Sequence, residues 1–158
     1  MSGSSFTVRA AREDDRLPLA LLFAEVASER DGIATEPPVD IDARAASWGI
    51  ESTLVAAEGT RLIGSIHLDP SRFGFCEIGM AVALDDRGRG VGTALLDAAV
   101  AWARERGVHK LCLSVFSHNT RAIALYRKAG FVEEGRRVKQ YRRQSGELWD
   151  SLEMGLLL

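Results

Sequence analysis

The segment that decides the fold lies between residues 82 and 93 and reads Val82-Ala-Leu-Asp-Asp-Arg87-Gly-Arg-Gly-Val-Gly92-Thr93. An apolar, strand-like run precedes it and a helix-like run follows it. Glycines let the chain curl so that several N–H groups point at one spot, and the start of a helix adds positive potential there. Two arginines supply forked, permanently charged donors. The segment therefore predicts a binding site for a diphosphate.

Two common glycine-rich phosphate motifs do not match this segment. A Walker A loop ends in Gly-Lys-Ser/Thr, whereas this turn ends in Gly92-Thr93 without a lysine. A dinucleotide-binding fingerprint has a third glycine three residues after the second, and Thr93 stands at that place. A glycine-rich turn with solvated arginines is the alternative interpretation.

The pattern around the turn predicts a mixed chain of the α/β (α+β) class, with a single sheet of about seven strands and about four helices. Strands are predicted at residues 6–9, 53–57, 62–68, 76–84, 110–116, 131–141 and 148–156. Helices are predicted at 13–29, at 41–48, from 91 to an end at Gly107, and at 119–129 with Asn119 as the N-cap. The first helix has an apolar stripe of Leu17, Leu21, Ala24 and Val26. The strand–helix–strand run through residues 76–116 implies a right-handed crossover and locally parallel pairing.

The composition predicts one domain over residues 1–158. No apolar run approaches the roughly 20 residues needed to span a bilayer, and the N-terminus lacks a secretory pattern, so we expect a cytoplasmic protein without membrane contact. A net charge of −2 argues against nucleic-acid binding. Two cysteines, Cys76 and Cys112, without clustered histidines are expected to be reduced core residues, and no metal is expected.

Two motifs resemble signatures of the GNAT acetyltransferase superfamily. Arg87-x-x-Gly90-x-Gly92 is similar to its Arg/Gln-x-x-Gly-x-Gly/Ala diphosphate loop, and Asn119-x-x-Ala122-x-x-x-Tyr126-x-x-x-Gly130-Phe131 is similar to its second signature. The tail, residues 141–154, resembles the branch that holds amino-acid and ribosomal-protein N-acetyltransferases. The resemblance extends from about Thr53 to the C-terminus; the first 50 residues match only in pattern.

The resemblance implies an acetyl-CoA-dependent N-acetyltransferase in which a primary amine attacks the thioester directly. It also implies a splay between strands 4 and 5, and a bulged strand that ends near Val82 and pairs with the pantetheine arm. Thirteen residues are expected to bind the donor: Met80, Ala81, Val82, Arg87, Gly88, Arg89, Gly90, Val91, Gly92, Thr93, Asn119, Ala122 and Tyr126. Arg121, Ala122, Arg127 and Lys128 are expected either beside the adenosine or on a solvated helix face. A homodimer is possible.

Tyr126 is the expected acid for the leaving thiolate, by resemblance. Asn119 and Tyr126 are seven residues apart, so they share one helical face. A phenol of pKa about 10 is well matched to a thiol of about 8.5 to 9. The alternative is that Tyr126 is a core residue and Asn119 only an N-cap.

The general base is less well defined. In histone-type relatives a strand glutamate serves, and counting back from Arg87 places it on Cys76, with Glu77 as its neighbour. A shift of one residue reverses the face of a strand unless a bulge intervenes. Glu77 is therefore the candidate, and Tyr141, Glu147, Asp150 or water are alternatives. Three scattered histidines are expected to be structural or exposed: His67, His109 and His118.

The acceptor is expected to be a small molecule such as an amino acid or a related amine. An α-amine of pKa about 7.7 to 8 needs less help to lose its proton than a lysine at about 10.4. The alternatives are a protein N-terminal or lysine acetyltransferase and, in another class, a non-catalytic acyl-CoA-binding sensor. Trp48 and Trp149 are expected either to pack or to wall the acceptor pocket.

Overall fold

The structure is a computed structural model, and it describes residues 5–158; residues 1–4 of the predicted domain lie outside the described residues. The strands are β1 Thr7–Ala10, β2 Thr53–Glu58, β3 Arg61–Pro70, β4 Phe75–Val82, β5 Lys110–Phe116, β6 Val132–Arg142 and β7 Leu148–Leu157. The helices are α1 Arg16–Ala27, α2 Ile41–Ser47, α3 Val91–Glu105 and α4 Thr120–Lys128. Short 3-10 turns lie at Glu13–Asp15, Ile50–Ser52 and Leu84–Asp86. The predicted mixed fold with seven strands and four helices is confirmed.

The strands form one sheet in the order β1-β2-β3-β4-β5-β7-β6, and the parallel pair β4–β5 lies near its centre. These two strands pair only from Phe75 to Glu77, opposite Lys110 to Cys112. Beyond that point β4 stays with β3, while β5 pairs along its whole length with β7. The predicted splay between strands 4 and 5 is therefore confirmed, and it opens directly after Glu77.

The expected bulge in β4 is wrong. The β3–β4 register runs without a shift from Gly64↔Val82 to Pro70↔Cys76. The gap beside β4 arises because β5 leaves it, so no extra residue in β4 is needed. Without a bulge, side chains alternate strictly along β4, and Glu77 shares its face with Gly79 and Ala81.

The two faces of the sheet are covered by different helices. Helices α3 and α4 pack over the face that contains Leu54, Ile66 and Leu68, and they form the larger part of the core with them. Helix α1 covers the opposite face, where Leu19 packs on Val55 and Ala57. The splay is thus bordered by α3 and α4 on one face and by α1 on the other.

The predicted buried stripe of α1 is partly wrong. Leu17 and Leu21 are each 51% exposed, whereas Leu19, Leu22 and Val26 are buried. The helix is apolar at nearly every position, so its sequence does not single out one face. The sheet below it decides which residues are covered.

Candidate active site

The turn before α3 presents a row of unpaired main-chain donors. Gly88 and Gly90 have φ of 82° and 83°, a conformation that glycine adopts without strain, and Gly90 is the N-cap of α3. The N–H groups from Gly88 to Thr93 have no acceptor among residues 5–158. The first bond of α3 is donated by Ala94 to the Gly90 carbonyl at 3.0 Å. Six consecutive N–H groups are therefore available to an anion, as the sequence predicts.

Arg87 lies at the wall of this turn and already has partners. Its Nη1 and Nη2 each donate to the Glu29 carboxylate at 2.8 Å, and its Nε donates to the Val82 carbonyl at 3.1 Å. Arg87 thus joins the end of α1 to the end of β4. A bound anion would compete with Glu29 for this guanidinium.

Arg89 points away from the cleft. Its guanidinium donates to the buried carboxylate of Asp86 at 2.7 Å and to Glu58 at 2.6 Å. Arg61 also donates to Asp86, at 2.7 Å. These ion pairs tie the turn to the β2–β3 hairpin. The Arg89 side chain therefore holds the turn in place and lies outside the lining of the cleft.

Arg121 brings a second guanidinium to the turn. A β-carbon on Gly88 would lie 3.6 Å from Arg121 Nη2, so the guanidinium is beside the open N–H groups. Arg121 lines the cleft and has no acceptor within residues 5–158. The sequence left Arg121 between the adenosine and solvent, and the structure places its guanidinium beside the diphosphate turn.

A cleft of about 570 Å³ begins at the turn and fills the splay. Its lining includes every predicted donor-binding residue except Arg89: Met80, Ala81, Val82, Arg87, Gly88, Gly90, Val91, Gly92, Thr93, Asn119, Ala122 and Tyr126. Leu113 and Phe116 of β5 line the cleft from the strand that leaves β4, and Tyr141 of β6 and Ser151 of β7 are also in the lining.

The edge of β4 offers main-chain groups to the cleft. Ala83 donates to the Ile63 carbonyl at 2.9 Å, so its N–H points toward β3. Because main-chain groups alternate in direction along an antiparallel strand, those of Ala81 also point to β3, while those of Met80 and Val82 point into the splay. The Val82 carbonyl already accepts a hydrogen bond from Arg87. The peptide groups of Met80 are therefore the ones best placed to pair with a ligand that carries amides.

Gly92 and Asn119 line the cleft and also have structural roles. A β-carbon on Gly92 would lie 2.7 Å from Leu125 Cδ2, so the glycine permits the close approach of α3 and α4. Asn119 is the N-cap of α4, and its side-chain oxygen accepts from the Ala122 N–H at 3.2 Å. The predicted N-cap is confirmed.

Tyr126 lies inside the cleft with a free hydroxyl. Its side chain is 8% exposed, its ring packs edge-on against Phe131 at 5.7 Å, and its hydroxyl has no partner among residues 5–158. Burial raises the pKa of Tyr126 to about 12. A proton transfer from this phenol to a thiolate of pKa about 8.5 is uphill by roughly 5 kcal/mol. The hydroxyl is therefore better suited to donate a hydrogen bond to a developing thiolate than to transfer its proton. The sequence by itself predicts a pKa of about 10 and a full proton transfer.

The candidate bases lie in different places. Glu77 is exposed at the closed end of the splay and lies outside the lining of the cleft. Tyr141 lines the cleft and packs edge-on against Phe116. Asp150 accepts from the Lys139 N–H at 2.7 Å and pairs with Arg136, and both contacts lower its pKa. Glu147 is exposed in the β6–β7 turn.

A second cavity of about 300 Å³ lies on the α1 side of β4. It is lined by Phe23, Ile33, Arg44, Ser47, Trp48, Gly49, Ser65, His67, Gly79, Met80 and Ala81. Ile33, Gly79, Met80 and Ala81 also line the larger cleft, so the two cavities adjoin across β4. Trp48 is in this wall, whereas Trp149 packs on Phe116 and His118.

Two further properties of residues 5–158 bear on function. None of their helices has the length and apolar character needed to cross a membrane. Within the same residues, no cluster of three or more His, Cys, Asp or Glu side chains is arranged to hold a metal ion.

Comparison with known proteins identifies the family. The model of the acetyltransferase (GNAT) family matches residues 21–131, and the chain belongs to that family. It is 29% identical over 142 residues, 83% of each chain, to the L-methionine sulfoximine/L-methionine sulfone acetyltransferase of Pseudomonas aeruginosa. A mycothiol acetyltransferase of Propionibacterium freudenreichii is 36% identical over 83 residues, which are 52% of this chain and 23% of that one.

Solved structures agree with this assignment. Ribosomal-protein-alanine N-acetyltransferase from Brucella melitensis superposes with a TM-score of 0.87 at 28% identity, over 96% of this chain and 99% of that one. The fold of yncA from Salmonella typhimurium, solved with its cofactor acetyl-CoA, superposes with a TM-score of 0.87 at 22% identity, over 98% and 95% of the two chains. The predicted GNAT superfamily is confirmed, and the relatives include acetyltransferases of amino-acid analogues and of a ribosomal protein.

Proposed function

We propose that the chain is an acetyl-CoA-dependent N-acetyltransferase that acetylates the primary amine of a small molecule such as an amino acid. The observation that carries the proposal is the run of six unpaired N–H groups at the start of α3, which opens into a cleft that contains a free tyrosine hydroxyl. A diphosphate fits the first feature, and a thioester fits the second.

In this proposal the donor is bound by three parts of the cleft. The turn from Gly88 to Thr93 and the guanidinium groups of Arg87 and Arg121 bind the diphosphate. The peptide groups of Met80 pair with the amides of the pantetheine arm, in the manner of an added strand. This pairing would bring the thioester toward Tyr126, which donates a hydrogen bond to the departing sulfur.

A small acceptor is favoured over a polypeptide by the second cavity. Its volume of about 300 Å³ is at the lower end for small-molecule sites, and Phe23 of α1 and Trp48 after α2 wall it. The similarity to an acetyltransferase of methionine sulfoximine and methionine sulfone supports the same class. The similarity to a ribosomal-protein-alanine N-acetyltransferase makes a protein N-terminus the second candidate. A non-catalytic sensor has less support, because binding without transfer would not require a free Tyr126 hydroxyl beside the thioester.

Two finer expectations belong to the same proposal. We place the reaction in the cytoplasm, which suits the free thiols of Cys76 and Cys112. A homodimer is also proposed, and the molar mass from light scattering would test it.

The donor site is tested by Gly90→Glu with Gly59→Glu as its matched control. Both glycines have positive φ, 83° and 62°, and at neither does a β-carbon meet another atom within 4 Å. The backbone strain is therefore similar, but only the change at Gly90 introduces a carboxylate among the free N–H groups. Calorimetry is expected to show that acetyl-CoA binding is lost in the first variant and kept in the second. Binding retained in both would refute the donor site.

The transfer itself is tested by thiol release from acetyl-CoA with a panel of amino acids, peptides and simple amines. Product mass then identifies the acceptor class. Acetylated peptides without acetylated amino acids would support the second candidate. Donor binding without thiol release for any amine would support the sensor.

A further inference from the structure

We propose that the second cavity is the acceptor site, where Arg44 binds a carboxylate of the acceptor and His67 takes the proton from its amine. This inference rests on the proposed function and adds to it the residue that binds the acceptor's carboxylate and the residue that acts as the base. The two residues are on different elements, Arg44 on α2 and His67 on β3, and both line the cavity.

Arg44 is a half-buried cation without an anionic partner. Its guanidinium lies over the Phe23 ring, 3.6 Å from the centroid, and 5.6 Å from the centroid of Trp48. No carboxylate or carbonyl within residues 5–158 accepts a hydrogen bond from it, and burial lowers its pKa. A partly desolvated charge gains most from an opposite charge when its aromatic neighbours also keep water away. The free N–H groups of Arg44 are therefore available to bind an anion.

The rest of the cavity favours an anion as well. Among its lining residues, all within the described part of the chain, there is no aspartate or glutamate. A single guanidinium presents two parallel N–H groups, which match the two oxygens of a carboxylate. The cavity also has no run of free main-chain donors like that of the α3 turn, so a carboxylate fits better than a second phosphate.

The hydrogen bonds around Thr53 determine which nitrogen of His67 carries the proton. The Thr53 hydroxyl donates to the Gly49 carbonyl at 2.7 Å, and its oxygen accepts from Trp48 Nε1 at 3.0 Å. His67 Nδ1 lies 3.2 Å from the same oxygen. The shorter of these contacts, to the Gly49 carbonyl, takes the single hydroxyl proton, and we therefore assign Nδ1 as the donor to the Thr53 oxygen. His67 Nε2 then has a free lone pair, and it has no partner among residues 5–158.

Gly79 connects His67 with the donor cleft. In the β3–β4 register His67 lies directly opposite Gly79, in the part of β4 that is no longer paired with β5. Gly79 lines both cavities, and a β-carbon there would meet no atom within 4 Å. The missing side chain leaves room for an amine to pass from the second cavity toward the thioester.

The chemistry balances without any further reactant. The ammonium form of the acceptor first gives one proton to His67 Nε2, which releases it to solvent. The nitrogen lone pair forms the C–N bond to the acetyl carbon, and the C–S bond breaks with its electron pair on sulfur. The nitrogen loses its second proton to His67, while the thiolate is stabilised by Tyr126 and then protonated. The products are an N-acetyl amine, coenzyme A and one proton.

The carboxylate is tested first on the unmodified protein. Its kcat/KM is measured for the best acceptor among the common amino acids and L-methionine sulfone, then for the methyl ester of that acceptor and for its decarboxylated amine. We expect the two compounds without a carboxylate to react about 100-fold less efficiently, the value of one charged hydrogen-bonded contact of roughly 3 kcal/mol. If simple amines are acetylated as well as amino acids, this inference fails and the proposed function stands. If no amine releases thiol, the proposed function fails.

Arg44→Gln then connects this preference to the residue. Its KM for the amino acid is expected to rise about 100-fold, while its kcat/KM for the decarboxylated amine stays within about threefold of the parent value. Arg44→Lys keeps the charge without the fork, and we expect about a tenfold loss. Equal losses for both substrates, in a variant with an unchanged melting temperature, would overturn the role of Arg44.

His67→Asn tests the base. The asparagine amide can still donate to Thr53 in place of Nδ1, but it has no lone pair at the position of Nε2. We expect kcat to fall about 100-fold with an unchanged Kd for acetyl-CoA. The other charged groups around His67 are Arg44 across the cavity, Glu51 beyond Gly49, and Asp69 and Glu77 on the same face of the sheet.

These neighbours remain in the variant, so the pH dependence of kcat reports on His67 itself. In the parent protein, the fall of kcat at low pH is expected to reflect both the base and the acceptor amine. In His67→Asn, only protonation of the acceptor amine should lower kcat. An unchanged kcat, or a lower kcat with the same acidic limb, would exclude His67 as the base.

Discussion

We assign Arg121 to the diphosphate site and the Arg89 side chain to internal ion pairs, and one pair of substitutions tests this assignment. In Arg121→Gln the guanidinium beside Gly88 is lost, and no internal ion pair breaks within residues 5–158. One charge-assisted hydrogen bond is worth about 1.5 to 3 kcal/mol, which is a 10- to 100-fold change in Kd. Arg121 is exposed, so screening by salt places the expected loss near tenfold at about 0.1 M salt.

Arg89→Gln should have the opposite pattern. This substitution removes the contacts with Asp86 and Glu58 but leaves Asp86 paired with Arg61. We expect a small loss of stability that lowers Tm by about 2 to 4 °C in a domain of this size. The Kd for acetyl-CoA should stay within about threefold of the parent value.

The assay is calorimetric titration with acetyl-CoA at low and high salt, together with thermal melting. Arg127→Gln is the control, because Arg127 is exposed on the same helix and lies outside the cleft. The tenfold loss in Arg121→Gln should shrink at high salt, since an exposed charge is screened. If Arg89→Gln weakens binding tenfold while Arg121→Gln does not, Arg89 must leave Asp86 to bind the donor, and our assignment is wrong.

Three further predictions concern Tyr126, Glu29 and Cys76. Tyr126→Phe should lower turnover at least about tenfold with an unchanged Kd for acetyl-CoA, since only stabilisation of the leaving thiolate is lost; normal turnover would remove Tyr126 from the mechanism. Glu29→Gln should tighten acetyl-CoA binding by about threefold in calorimetry, because it frees Arg87 from a competing carboxylate; weaker binding would mean that Glu29 orients Arg87. Burial raises the pKa of the Cys76 thiol from 9.0 to about 11, so its contribution to stability is complete below pH 9 and is lost as the pH rises toward 11. Urea unfolding of Cys76→Ala should therefore depend less on pH in that window, and equal slopes would contradict this.

The elements that the sequence predicted well are those with local causes. The turn before α3 was predicted because its glycines permit positive φ whatever surrounds them. The N-cap at Asn119 was predicted because a side chain three residues from its partner needs no distant contact. The strand at Lys110–Phe116 was found with its observed bounds, since a short apolar run between turn residues has few alternatives.

The errors concern contacts between distant parts of the chain. The face that α1 buries depends on the sheet, and an apolar helix has no periodicity to indicate it. The expected bulge near Val82 came from a family pattern, while the actual gap arises from the pairing of β5 with β7. The motif also does not show that Asp86 and Glu58 lie beside the Arg89 guanidinium, so the pairing of that side chain could not be predicted from the sequence.

The sequence by itself determined the class of fold, the family and the diphosphate turn, because hydrophobic period, glycine conformation and helix capping act over only a few residues. The tertiary structure alone decided which charges are paired and which stay free. Arg44 and His67 are 23 positions apart, and no spacing rule connects them. They line one cavity only because α2 packs against α1, and α1 covers the face of β3 and β4 on which His67 lies.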